Sequence, residues 1–365
     1  MAFRRPYRLD LGRLMLAGTA AWIAIVLRMS RSETTDAQSP LRVGRGGSGG
    51  TSLEVDRGRL ATTPAAIGAG GWSDILRRTY SESIEDRLPT VAAGITFFGL
   101  LALFPAVTAI VSLYGLFTDP ATVRDHLFAL SFMLPAGAFQ IVEDQISRIV
   151  TQGSEALTVK LLIGLGIALW GANAGMKALI DGLNVAYEET EKRGFVMLNA
   201  LSLALTLAAL TVVMLAMFTV TVAPAAIATL KLSDTMIVLV RALRWVVMAA
   251  VLMIGLSVLY RFGPSRENAK WRWVTWGSAV ASVLWIMVSV GLSAYLSNFA
   301  DYNATYGSLG AAIALMMWIW LSSCAVLFGA ELNAEMEHQT AIDTTTGPDL
   351  PMGLRGATMA DTLGQ

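Results

Sequence analysis

Residues 295–335 read YLSNFADYNATYGSLGAAIALMMWIWLSSCAVLFGAELNAE, and nothing between Asp301 and Glu331 carries a charge. A helix crosses the hydrocarbon layer with about 20 apolar residues, and a charge at the bilayer centre is costly. The run therefore reads as a membrane span near 308–330. Working back along the chain, charges are also missing between Arg272 and Asp301, between Arg193 and Lys231, and between Arg87 and Asp119. These give spans near 274–297, 196–222 and 91–117. Two shorter runs, Lys160 to Lys177 and Arg244 to Arg261, reach spanning length only if charged residues enter the helix. They add spans near 159–183 and 237–260. The expected fold is all-α, an integral membrane bundle of six transmembrane helices.

Composition agrees. The chain is 55% hydrophobic and 15% charged, with mean hydropathy +0.57, whereas soluble domains carry about 25% charged residues. The 27 basic and 27 acidic residues cancel, which excludes a strongly basic nucleic-acid binder as a whole-chain property. A single cysteine, Cys324, rules out an intrachain disulfide and a zinc-thiolate cluster. Two histidines, His126 and His338, leave little for metal chemistry, so no metal site and no cofactor are expected.

The connections sort by charge. Arg77, Arg78 and Arg87 precede the first span, Lys192 and Arg193 follow the second, and Arg261, Arg266, Lys270 and Arg272 crowd the link after the fourth. The alternate links are poorer in basic residues. The positive-inside rule then places both termini in the cytoplasm of a bacterial inner membrane, although Arg241 and Arg244 near the outer end of span four count weakly against it. In the first outer link, 118–158, the stretches HLFALSFMLP and AFQIVEDQISRIV read as short amphipathic helices split by Pro135. They would pack on the bundle or lie on the outer surface.

Residues 1–90 hold 13 basic and 9 acidic residues, net +4, so the remainder, 14 against 18, is net −4. Residues 1–71 read as a poorly ordered extension. Within it 31–71 is rich in Ser, Thr and Gly, and the apolar segment 14–27 is short for a span. That segment follows four arginines like a signal-peptide core. Its readings are a peripheral or weakly inserted segment, or an over-extended start. The membrane domain is expected over 72–337, with 72–88 as an amphipathic surface helix and 338–365 as a disordered cytoplasmic tail.

Four blocks carry a family resemblance: AAGITFFGLLALFPAVTAIVSLYGLF at 92–117, ALWGANAGMKALIDGLNVAYEETEKRGF at 168–195, LYRFGPSR at 259–266, and the opening block at 295–335. Together they resemble the YihY/BrkB family of bacterial inner-membrane proteins, formerly labelled ribonuclease BN-like. The resemblance implies six transmembrane helices, an association with virulence and serum resistance, and no settled biochemical activity. The old ribonuclease label fits the residues poorly. Metal-dependent RNA hydrolysis needs clustered His and Asp ligands, and the two histidines fall on opposite sides of the expected membrane. GANAGMK at 171–177 lacks Walker A spacing.

The polar residues left within or beside the spans are the candidate substrate path. Lys177 and Asp181, one helical turn apart, can pair with each other. With Glu331 at the end of span six they would form a polar cluster beneath the inner leaflet, for a head group or a proton. Interfacial anchoring is the competing role. Arg244 suits phosphate recognition near the outer leaflet or a plain anchor. Asp301 and Asn303, in the short outer link, line a site or satisfy a compact turn. Pro105 interrupts span one and is a candidate hinge or a static kink. Gly171 and Gly175 form a G-x-x-x-G packing motif, with Asn173 between them able to bond across helices. Trp271, Trp273 and Trp276 read as an interfacial belt. The expected function is non-enzymatic: envelope integrity, with transport of a lipid-like amphiphile. A scaffold without a substrate path is the alternative. Expected partners are membrane lipids, with envelope proteins or further copies of the chain, and no nucleic acid.

Overall fold

The computed structural model of the protein describes residues 57–115, 157–229, 234–298 and 309–364. After a 3-10 turn at Pro64–Ala66 come α1 (Ala69–Glu85), α2 (Leu88–Gly115), α3 (Leu157–Ala186), α4 (Phe195–Thr229), α5 (Asp234–Phe262), α6 (Trp271–Asn298), α7 (Leu309–His338) and a short α8 (Thr358–Asp361). No strand occurs among the described residues, and the only bridge there pairs Ala269 with Thr345.

Helices α2 to α7 are 28 to 35 residues long, about 42–52 Å at 1.5 Å per residue. Three stretches, Phe195–Leu215, Trp271–Leu296 and Ala312–His338, are long and apolar enough to cross a membrane, and Leu88–Leu101 and Val246–Phe262 are shorter apolar helices. Only 17–33% of each long stretch's apolar window is buried. Most of that surface therefore faces outward, which a water-soluble protein could not tolerate over such an area. This is an all-helical membrane protein.

The helix boundaries have local causes. Between α1 and α2, Arg87 takes a left-handed backbone (φ 52), and Pro89 sits in the first turn of α2, where no amide donor is needed. Gly263 and Pro264 end α5, since proline cannot continue the helical ladder. Helix α2 runs on through Pro105 as one assigned helix.

Helix α7 is the hub: it packs against α6, α2, α1, α3 and α8, while α2 lies along α3. Its tightest crossing is with α6. A Cβ on Gly277 would stand 2.1 Å from the Gly329 carbonyl oxygen, and one on Gly329 would stand 2.6 Å from Ala281 Cβ. Asn333 locks the crossing, accepting from the Gly277 amide (2.8 Å) and donating to the Val274 carbonyl (3.2 Å). Gly171 and Gly175 are half-buried on α3.

Among the described side chains the main buried core has Ala92, Ile180, Leu183, Tyr187, Tyr260, Ala281, Leu327 and Ala334 at its centre. Beside it Ala61, Ile67, Ile75, Trp273, Leu332 and Met336 form a second cluster. Three expectations need correction here. Residues 338–364 are not a disordered tail: Gln339, Thr340, Thr344 and Met359 are buried, and the segment bonds to residues 57–61 and 268–270. The described chain is already packed ahead of residue 72, because Ala61 and Ile67 supply apolar surface to α1, α6 and α7. Trp273 belongs to the core at 1% exposure, and Trp276 stacks on Trp72 at 5.5 Å. Only Trp271 stays exposed as a belt residue would. The amphipathic helices expected in 118–158 and the apolar segment at 14–27 lie outside the described residues.

Candidate functional site

Two polar regions emerge. The first is a seam between α3 and α4. Lys177 Nζ donates to Asn199 Oδ1 at 2.5 Å and lies 5.8 Å from the Phe195 ring centroid. One turn earlier, Asn173 donates to the same oxygen at 3.4 Å and accepts from the Ser202 hydroxyl at 2.5 Å. Asn199 is oriented by its own donation to the Phe195 carbonyl at 2.7 Å. Positions 173 and 177 share a face of α3, as 195, 199 and 202 share one of α4. Apolar Trp170, Phe195, Val196 and Met197 are exposed around the seam.

Asn199 and Ser202 escape a reading based on missing charges, because they are uncharged residues inside an apolar run. Their spacing of three, one helical turn, is the signal that could have found them. Lys177 makes no ion pair with Asp181, which is exposed on the next turn of α3. No hydrogen bond joins either residue to Glu331, which is 1% exposed on α7 and whose Oε2 has no partner. Arg244 and Pro105 lie on α5 and α2 with side chains outside the description, and Asp301 and Asn303 lie outside the described residues.

The second region is a polar cap over the core. Arg266 and Glu337 form a two-pronged pair at 2.7 and 3.0 Å with both side chains fully buried. The guanidinium lies 4.1 Å from the Tyr187 ring centroid, and the Thr344 hydroxyl donates to Glu337 at 2.7 Å. Arg78 reaches Glu335 at 2.5 Å and Gln339 at 2.6 Å. The block LYRFGPSR ties the links together. Tyr260 donates to the Val326 carbonyl (2.7 Å), the Ser265 amide to Asn184 (2.7 Å), and the Lys192 amide to the Ser265 hydroxyl (2.9 Å). Arg193 grips Glu191 through Nε and Nη2, each at 2.7 Å. These bonds hold the Glu191 carboxyl down at about 2, against the opposing pull of burial. Glu189 accepts from the Thr358 amide at 2.7 Å, anchoring α8. Most of these groups are paired, although Arg78 Nη1, Arg266 Nε and the Tyr187 hydroxyl are buried without a hydrogen-bond partner, and the pairs lock the cap to the core.

One edge of the cap is acidic. Burial pushes Asp86 up to about 6, with the charges of Glu188 and Glu85 adding. Burial also raises Glu82, with Glu85 next in effect. Among the described residues no group of three His, Cys, Asp or Glu side chains is placed to hold a metal ion.

Comparison with known proteins now bears on the whole. The family model described as virulence factor BrkB matches residues 79–350. The chain belongs to the BrkB family. It is 34% identical over 247 residues, 67% of this chain and 88% of the relative, to the protein YfkH of Bacillus subtilis, whose name describes it only as ribonuclease-like. It is 26% identical over 271 residues to a UPF0761 membrane protein of Photobacterium profundum, covering 72% of this chain and 81% of that one. Another UPF0761 membrane protein, from Cronobacter sakazakii, is 25% identical over 260 residues, with 69% and 84% covered. No solved structure matches. The matched range of this BrkB chain takes in the seam, the cap and part of the folded C-terminal segment.

Proposed function

We propose that this BrkB-family chain is a six-span, non-enzymatic protein of the bacterial inner membrane with both termini cytoplasmic. In this reading it serves envelope integrity by moving a lipid-like amphiphile. The observation that carries the reading is the α3–α4 seam: an ammonium, two amides and a hydroxyl collected within an apolar bundle and flanked by exposed aromatic side chains. Lys177 spends one of its three N–H donors on Asn199, leaving two to meet an anionic head group, while the surrounding apolar surface suits acyl chains. Intramembrane polar groups are costly to place and mark substrate paths more often than lipid-facing surface. Six helices of 28 to 35 residues support six spans, and the basic residues collected in the cap's links support this orientation.

Native mass spectrometry of the purified full chain tests the seam. Phospholipid should stay bound to the parent chain and be lost from Lys177→Met and Asn199→Leu. Equal retention by all three would remove the basis of the reading. The alternative is a scaffold that organises envelope proteins, and one observation favours it: the cap lies over the core with buried ion pairs such as Arg266–Glu337. A scaffold predicts that seam variants leave envelope integrity untouched.

A further inference from the structure

Three glutamates lie close together near the end of α7, and all three are buried: Glu331 at 1%, Glu335 at 1% and Glu337 at 0% exposure. Two have arginine partners, Glu335 with Arg78 and Glu337 with Arg266. The third has none, and its Oε2 makes no hydrogen bond. The charged groups acting on Glu331 most strongly are Asp86, Glu335, Glu82 and Glu188, all acidic. Among the elements packed on α7, α2 carries no charge over Leu88–Gly115. On α1, Arg78 bonds through Nε and Nη2 to Glu335 and Gln339, and its Nη1 meets neither them nor Glu331. On α3, Lys177 donates to Asn199 and makes no hydrogen bond to Glu331, and Asp181 adds another acid. On α6, Arg272 stands in the first turn, and on α8 the charged group is Asp361.

A carboxylate this deeply buried, with an oxygen that meets no hydrogen-bond donor and no arginine paired to it, is not sustained as an anion. It must hold a positive charge of its own. The described residues place no cluster able to ligate a metal ion. We infer that Glu331 is a proton-binding site, reached from the cap side past the acidic edge of Asp86, Glu82 and Glu188. Two residues of that edge neighbourhood, Arg87 (φ 52) and Glu188 (φ 50), hold left-handed backbone. Such strain on non-glycine residues accumulates where function fixes geometry. The inference concerns the chain's own chemistry and stands whether or not an amphiphile moves.

The test is infrared difference spectroscopy on the full chain in phospholipid vesicles. At neutral pH the parent chain should show the carbonyl stretch of a protonated carboxyl, and Glu331→Gln should lose it while remaining folded. Glu335→Gln should keep that band and lose thermal stability. Two results overturn the inference: a band unchanged in a folded Glu331→Gln chain, or no such band in the parent. A thermal midpoint for Glu331→Gln depressed as far as that of Glu335→Gln also overturns it, since it would mean an ionised, partnered carboxylate. So does a parent midpoint that rises with sodium over choline chloride and stops doing so in Glu331→Gln, which would assign the site to a metal cation.

Discussion

The cap and the α3–α4 seam are both polar regions of one apolar bundle, and they differ in how far their groups satisfy each other. In the cap, Arg266 and Glu337 exclude solvent completely and pair in two places, and Ser265, Asn184 and Tyr260 each have a fixed partner. The atoms left unpartnered there, among them Arg266 Nε and the Tyr187 hydroxyl, are buried away from solvent. In the seam, Lys177 is half-buried with donors to spare, and its neighbours are exposed apolar side chains. A polar network closed off from solvent specifies a structure, whereas a half-satisfied one at an open surface is able to exchange partners. On the proposed reading, the difference assigns stability to the cap and binding to the seam.

The largest expected effect breaks the cap. Glu337→Ala leaves Arg266 buried without its counter-charge, a change that costs about 3–5 kcal/mol. Chemical denaturation in detergent should show most of the chain's stability gone. Gly277→Ala forces a methyl group against the Gly329 backbone. Overpacking of this kind costs about 1–3 kcal/mol, read as a lower thermal midpoint, and the same substitution at the half-buried Gly171 separates this crossing from small-residue packing in general.

A third prediction concerns pH. Folding raises Asp86 from 3.8 to about 6. Between those values the folded chain keeps a proton that the unfolded chain has released, so stability present at lower pH is lost as pH rises through the window. Asp86→Asn should flatten the midpoint-versus-pH curve there. A curve of unchanged slope would refute the burial of that carboxyl at the acidic edge. The smallest effect is a gain. Arg87→Gly removes a left-handed strain and should stabilise by up to about 1 kcal/mol, measured as a small rise in midpoint.

The spans were legible in sequence because a missing charge is a one-dimensional signal. The run from Arg193 to Lys231 contains Phe195–Leu215, and the runs from Arg272 to Asp301 and from Asp301 to Glu331 cover most of Trp271–Leu296 and Ala312–His338. The seam was half legible: Lys177 and Asn173 stand out in an apolar span, but Asn199 matters only once α4 lies beside α3. The cap was hidden. Arg266 and Glu337 are 71 positions apart and look like ordinary surface charges. The polar residues after His338 have the composition of a solvated tail, though Thr340, Thr344 and Asp343 are buried in it. The block LYRFGPSR could be recognised without revealing that its arginine serves packing.

The central claim is that the seam, and not the cap, handles an amphiphile. The most direct measurement is translocation of fluorescent phospholipid across vesicles containing the full-length protein. The parent chain should speed leaflet exchange, and Lys177→Met should abolish most of that acceleration while its thermal midpoint stays within a degree or two of the parent's. Exchange no faster than in protein-free vesicles, or a Lys177→Met chain as active as the parent, would contradict it.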